Sequence, residues 1–395
     1  MTCEHMDMVS FLAGLPHPPR LLALGEPMHG SEDILRVRNA VVRDLVMRGG
    51  FRSIAVESDF HRAPLVNDYI QGADIEVEQV LDDGLSHPYV HRLEAVSELL
   101  RWLRDINRTL DEPVRFYGFD GPMEMAAAPS PRDPLLRVHA ALAAVVGATA
   151  GSPGEIADLI GDEARWTEEA AMYHAERSIG GSAEVARLRL LTDDLCGVAD
   201  TAAPLLAADP ERWWWLRADM RTAVGLLRYH AAMASDGAQR LSRLIAQRDV
   251  MMGEHLLAIA EREAGRGGTI VVAHNRHLQR EPSTMTMGAH ELWWFGGGAQ
   301  VQTRLGADYR FVAIAIDIGA APAHGLGEPG PGTVEGELYR SQRPNAQLYR
   351  GADLAERLRG LATRADRDAR GAYFPLEAEH LAETDGVLFL REVRA

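Results

Sequence analysis

"LALGEPMHGSEDILRVR" (residues 22–38) sets the reading of the whole chain. An apolar run ends at Gly25, Glu26 and His29 follow within four residues, and from Ser31 apolar residues recur at helical spacing. Strand, tight loop and helix in that order open a βα unit, the building block of a parallel sheet with helices on its faces. In the helical part Ile34, Val41, Val42 and Leu45 form one stripe, with Arg38 inside it and Arg36 on the opposite face. An arginine on the core side needs a carboxylate, because a buried unpaired charge is very costly. Glu26, Glu57 and Asp120 are its candidate partners. A purely structural ion pair would satisfy the same pattern, and the neighbouring histidines tip the balance toward a site.

Five further apolar, β-branched runs repeat the first: "FRSIAVES" (51–58), "PVRFYGFD" (113–120), "GTIVVAHN" (268–275), "YRFVAIAID" (309–317) and "GVLFLREV" (386–393). Helical spacing lies between them, notably at 31–48 and 91–110. The class is therefore α/β, a mostly parallel sheet flanked by helices. From about 133 to 263 the strand signals stop, and Ala, Leu, Arg and Glu dominate at helical spacing. The expected organisation is an α/β core in two parts, 1–132 and 248–395, interrupted by an all-helical lobe over 133–247 that forms a cleft. The Pro- and Ala-rich stretch 123–134 reads as a linker and 319–332 as a surface loop.

The chain has 395 residues, 46% hydrophobic and 25% charged, with a formal net charge of -16. It contains no lysine; its strong bases are all arginine. That balance argues against nucleic acid or an anionic membrane as partner, since phosphate binding needs dense positive charge. Lacking lysine, the chain has neither a Schiff-base group nor a P-loop. Cys3 and Cys196 make no disulfide framework, the N-terminus lacks a signal-peptide pattern, and no apolar stretch reaches about 18 residues. The expectation is a cytoplasmic protein acting on a small molecule.

Ligands of an open parallel sheet bind beyond the carboxyl ends of its strands. Four strand ends carry ionisable residues here: Glu26 and His29; Glu57, Asp59 and His61; Asp120; and His274, Asn275 and His277. G-x-S-x-G does not occur, and "HELWW" (290–294) has Trp294 where H-E-x-x-H needs histidine. A histidine and carboxylate site without a nucleophile suits general-base activation of water. A carboxylate on the far ring nitrogen fixes the tautomer and raises basicity, and an arginine or second histidine can stabilise an oxyanion. A ligand set of His29, His274 and His277 with Glu26 or Glu57 is the competing, metal-dependent chemistry. Trp213, Trp214 and Trp215 read as packing, and 290–298 as a mobile aromatic wall. His87 and His91 read as surface or supporting residues, and His174, His230 and His255 as structural ones.

Taken together, "LGEPMHGSEDILRVR", "FRSIAVES", "VRFYGFD", "RDVMM" and "VVAHNRH" resemble, in order and separation, the erythromycin esterase family. The resemblance covers about 20–318. It implies a hydrolase that needs no metal or other cofactor and opens a macrolide lactone with histidine as general base. Carried over, His29 is the base and Glu26 its neighbour in G-E-x-x-H-G. Arg38 and Glu57 match the family's arginine and second glutamate, His274 the histidine of A-H-N-x-H, and Arg248 and Asp249 its R-D pair. His277, Asn275, Asp120, His61, Trp294, Arg248 and Asp249 are the expected substrate-side residues. Pro27 and Met28 replace small residues common in the family, His255 stands where asparagine is usual, and 288–302 is longer and more aromatic. These departures fall on wall positions, so the substrate is expected to be an ester or lactone of a bulky, macrolide-like natural product. The alternatives are a biosynthetic enzyme using the same site for cyclisation, acyl transfer or elimination, and a protein that only sequesters its ligand.

Overall fold

A computed structural model describes residues 8–87, 91–123, 128–147, 149–316, 326–342, 345–365 and 373–391. The expected linker 123–134 and loop 319–332 lie partly outside them.

The six expected strands form: β1 (Leu21–Glu26), β2 (Ser53–Asp59), β3 (Arg115–Asp120), β4 (Thr269–His274), β7 (Tyr309–Ile316) and β9 (Gly386–Leu390). Three more were not anticipated: the pair β5 (Ser283–Met287) and β6 (His290–Trp294), and β8 (Ala346–Arg350). Seven strands build one sheet in the order β3-β2-β4-β1-β7-β9-β8. Strand β1 runs parallel to both β4 and β7, β2 to β4, and β7 to β9, while β8 closes the edge antiparallel to β9. Every residue of β1, β4 and β9 is buried, as a parallel sheet covered on both faces requires.

The connectivity positions the site. From central β1 the chain steps over one strand position to β2, and β4 later fills the gap between them. The carboxyl ends of β1, β4 and β2 therefore lie side by side, with Glu26 in register with His274. Gly25 makes this close packing possible. A Cβ there would stand 2.1 Å from Oδ1 of Asn275 and 2.9 Å from the ring of Phe311.

The chain divides into two compact units. The first comprises residues 1–119, 256–283 and 295–395 and holds nearly all of the sheet; the second comprises 120–255 and 284–294. In the first, the helix Glu32–Arg48 buries Ile34, Val41, Val42 and Leu45 together with Arg38. In the second, helices Arg132–Val146, Pro153–Ile160, Ala183–Leu206 and Pro210–Met233 pack around Leu142, Ile160, Trp166, Leu188 and Leu195. Ser152, Ser182 and Asp209 cap three of these helices, each accepting a backbone N–H three residues on. The segment expected as an inserted lobe, 133–247, lies within this unit.

The aromatic stretch 290–298 is no mobile wall. Residues 290–294 form β6, whose alternation turns Leu292 and Trp294 inward and leaves Trp293 54% exposed. In the first unit, Gly296 and Gly298 bring the chain against the carbonyls of Arg276, His277 and Leu278, where a Cβ would collide with backbone.

Candidate active site

In the first unit the five residues expected to be catalytic, Glu26, His29, Arg38, Glu57 and His274, lie together. Glu26 ends β1 and is 2% exposed. Arg38 donates to it from Nη1 at 2.7 Å and turns Nε and Nη2 to Oδ1 of Asn39, which is itself fixed to the Ala95 carbonyl. Burial by itself pushes the Glu26 carboxyl up, but Arg38, and to a lesser degree His29, more than offset this and hold it below the usual carboxylate range. Arg38 thus bonds Glu26 and Asn39, and of its three candidate partners the structure uses Glu26.

His29, on the loop after β1, lies between the carboxylates: Nδ1 is 3.7 Å from Oε2 of Glu26, and Nε2 is 3.7 Å from Oε2 of Glu57. Glu57 is fixed by the His274 backbone N–H, which donates to Oε2 at 2.9 Å. Its other oxygen faces Nε2 of His277 at 3.5 Å and Nε2 of His87 at 3.9 Å.

His274 lies beside them, its ring centroid 5.2 Å from that of His29. Its Nδ1 accepts the Arg276 backbone N–H at 3.2 Å, so the proton sits on Nε2, 3.2 Å from the Pro27 carbonyl. Burial first, and then the nearby His29 and His277, hold it well below the ordinary histidine range. Its hydrogen bonds tie β4 to the loop carrying His29.

The expected substrate-side residues divide. His277 joins the group. Asn275 instead donates to the Ile314 carbonyl and packs against Gly25, which makes it a clamp on the sheet. His61 lies in the turn after β2, its backbone N–H on Asp59 and its ring edge-on to Phe60 at 5.4 Å. In the second unit Nε of Arg248 donates to both oxygens of Asp120, at 3.1 and 3.0 Å. Trp294, expected to face a ligand, is buried there and donates its indole N–H to Asp249 at 2.9 Å.

His87 was underrated. Its ring lies against that of His29, tilted by 53° with centroids 4.2 Å apart. Two serines put it there: Ser86 N–H donates to Ser58 Oγ, and Asp59 N–H to Ser86 Oγ, pinning the loop to the end of β2. The signal was "SHPYVH", a serine and two histidines four apart, with Pro88 set against a regular helix through both. Beside these polar groups lies a pocket whose walls include Leu85, Val96, Leu99, Leu100, Phe116 and Val272, an apolar lining of the kind that holds the non-polar part of a small organic ligand.

With this geometry in place, similarity to known proteins decides the family. The family model for erythromycin esterase matches residues 46–393. The chain belongs to the erythromycin esterase family. The match begins in the last turn of the helix Glu32–Arg48, beyond Glu26, His29 and Arg38. Erythromycin esterase type II of Escherichia coli is 30% identical over 105 residues, 26% of this chain and 24% of that protein. The aligned part thus spans about a quarter of that relative. Two crystal structures share the fold of this erythromycin esterase family member. A mutant of the erythromycin esterase EreC in its open conformation superposes with a TM-score of 0.69 at 18% identity, covering 99% of this chain and 95% of that one. A Bacillus cereus protein gives a TM-score of 0.68 at 14% identity, covering 96% and 90%. No helix of the described residues is long and apolar enough to cross a membrane.

Proposed function

We propose that the protein hydrolyses an ester or lactone of a bulky, macrolide-like natural product, with His29 as the general base. The observation that carries this reading is the placement of His29, each ring nitrogen 3.7 Å from a buried carboxylate. Arg38 keeps Glu26 ionised, and Glu26 faces Nδ1, so Nδ1 bears the proton and the lone pair lies on Nε2. A water between Nε2 and Glu57 gives its proton to Nε2 as its oxygen attacks the acyl carbon. Glu57, fixed by the His274 N–H, orients that water as an acceptor. His277 supplies an N–H to the developing oxyanion. Collapse of the tetrahedral intermediate breaks the acyl–oxygen bond, and the proton on His29 passes to the leaving alkoxide. The products are a carboxylic acid and an alcohol, and the family membership supports a reaction of this type.

The test is mass spectrometry of a panel of macrolides incubated with the wild-type protein and with His29→Ala. The expected outcome is a gain of one water by at least one macrolide with wild type and a loss of rate of about 10³-fold or more in the variant. An unchanged panel would overturn the macrolide substrate, and full activity in His29→Ala would overturn the base.

A further inference from the structure

His29, Glu57 and His87 have the makings of a metal-ligand set. One ligand atom from each lies within 4.8 Å of the other two. Nε2 of His29 and Nε2 of His87 approach different oxygens of Glu57, at 3.7 and 3.9 Å. Ligands around a tetrahedral zinc with bonds of about 2.0–2.1 Å stand roughly 3.4 Å apart, so each histidine–carboxylate distance lies within about half an ångström of that spacing, and the three atoms converge on an ion by small side-chain rotations.

The surroundings support this. A ligating histidine keeps its other nitrogen on a carboxylate that sets the tautomer; Nδ1 of His29 faces Glu26, and Arg38 holds Glu26 in place. His274 is excluded as a ligand because backbone groups occupy both of its ring nitrogens. Three donors leave one tetrahedral position open. Two imidazoles and one carboxylate suit zinc, cobalt or copper; magnesium and calcium demand oxygen ligands.

We propose that His29, Glu57 and His87 bind a zinc-class divalent ion, and that its occupancy switches the hydrolytic site off. The second half rests on the proposed function: the ion takes the Nε2 lone pair that would accept the proton of water. The first half stands without it.

The probe is cobalt(II), added to chelator-treated, dialysed protein and followed by its visible absorption, then displaced by zinc. The expected result is one cobalt per chain, with affinity reduced at least tenfold in Glu57→Gln and in His87→Asn. Both replacements are close in shape to the native side chains, and circular dichroism checks their folding. His380→Ala is the control, since Glu377, Glu379 and His380 form a second group of possible ligands. Absence of cobalt binding, or binding lost in His380→Ala but kept in both site variants, would overturn the site. In the esterase arm, zinc inhibits wild type with the midpoint seen in the binding titration, and inhibition of the residual activity of His87→Asn needs at least tenfold more zinc. Activity that rises with zinc would overturn the switch while leaving the site. Cobalt binding as expected without any ester hydrolysis would overturn the hydrolytic reading alone.

Discussion

Arg38 shows how much one side chain can reveal. It sits among aliphatic residues in the helix Glu32–Arg48, and that mismatch alone pointed to a buried carboxylate. The helical period exposes such a mismatch; it says nothing of which carboxylate answers. Breaking the Arg38–Glu26 pair leaves a charge in the core without its partner. Arg38→Met should cost about 3–5 kcal/mol in urea denaturation at neutral pH. Adding Glu26→Gln should recover much of that loss; no recovery would mean that Arg38 stabilises mainly through Asn39. His274 illustrates the opposite case. The motif marked the residue, whereas its two backbone hydrogen bonds, to the Pro27 carbonyl and from the Arg276 N–H, were invisible in the sequence. His274→Gln should lower kcat/KM by about tenfold through loosened geometry and leave the pH–rate profile in place. A displaced profile would return His274 to the reacting groups.

Among the elements, strands with continuous apolar runs were legible because burial on both faces removes polar interruptions. Strand β8 was not, since "AQLYR" lies at the sheet edge, half-buried, with Gln347 and Arg350 breaking the run. The β5–β6 pair was hidden in another way: its connection is only Gly288 and Ala289, and its threonines, methionines and tryptophans alternate without an obvious apolar face. His87 escaped for a third reason, being held by serine hydroxyls between loops, a pattern with no period. The helix Pro210–Met233 carries a further test. His230 on it is fully buried, edge-on to Trp166 at 4.8 Å, with Nε2 3.1 Å from the Pro129 carbonyl. Burial pushes it down from 6.5 to about 4. The unfolded chain then binds this proton at higher pH than the folded one, so stability is complete above about pH 6.5 and declines as pH falls toward about 4. Between pH 7 and 5 the wild type should lose about 2 kcal/mol that His230→Gln does not. Equal losses in the two proteins would show that other groups govern the acid limb.

For the whole molecule, a formal charge of -16 bears on turnover. Ester hydrolysis of a neutral or cationic substrate produces a carboxylate, which a negative protein repels at long range. Salt screens that repulsion beyond about 10 Å at 0.1 M. The inhibition constant of the carboxylate product should therefore fall several-fold as sodium chloride rises from about 10 mM to about 0.3 M, and a constant value would assign product release to local contacts. A different scale of consequence follows from Gly25. Its missing side chain is the space that Oδ1 of Asn275 occupies, and Phe311 closes the other side. Three strand ends distant in sequence therefore share one volume. In evolutionary terms these positions are epistatic: a larger residue at 25 becomes tolerable only after 275 has become smaller, and either change alone passes through a weakened protein. Across homologues, positions 25 and 275 are expected to vary together or not at all. Libraries aimed at a new substrate should leave that pair intact and diversify the aliphatic cavity wall at Leu85, Val96, Leu99 and Leu100.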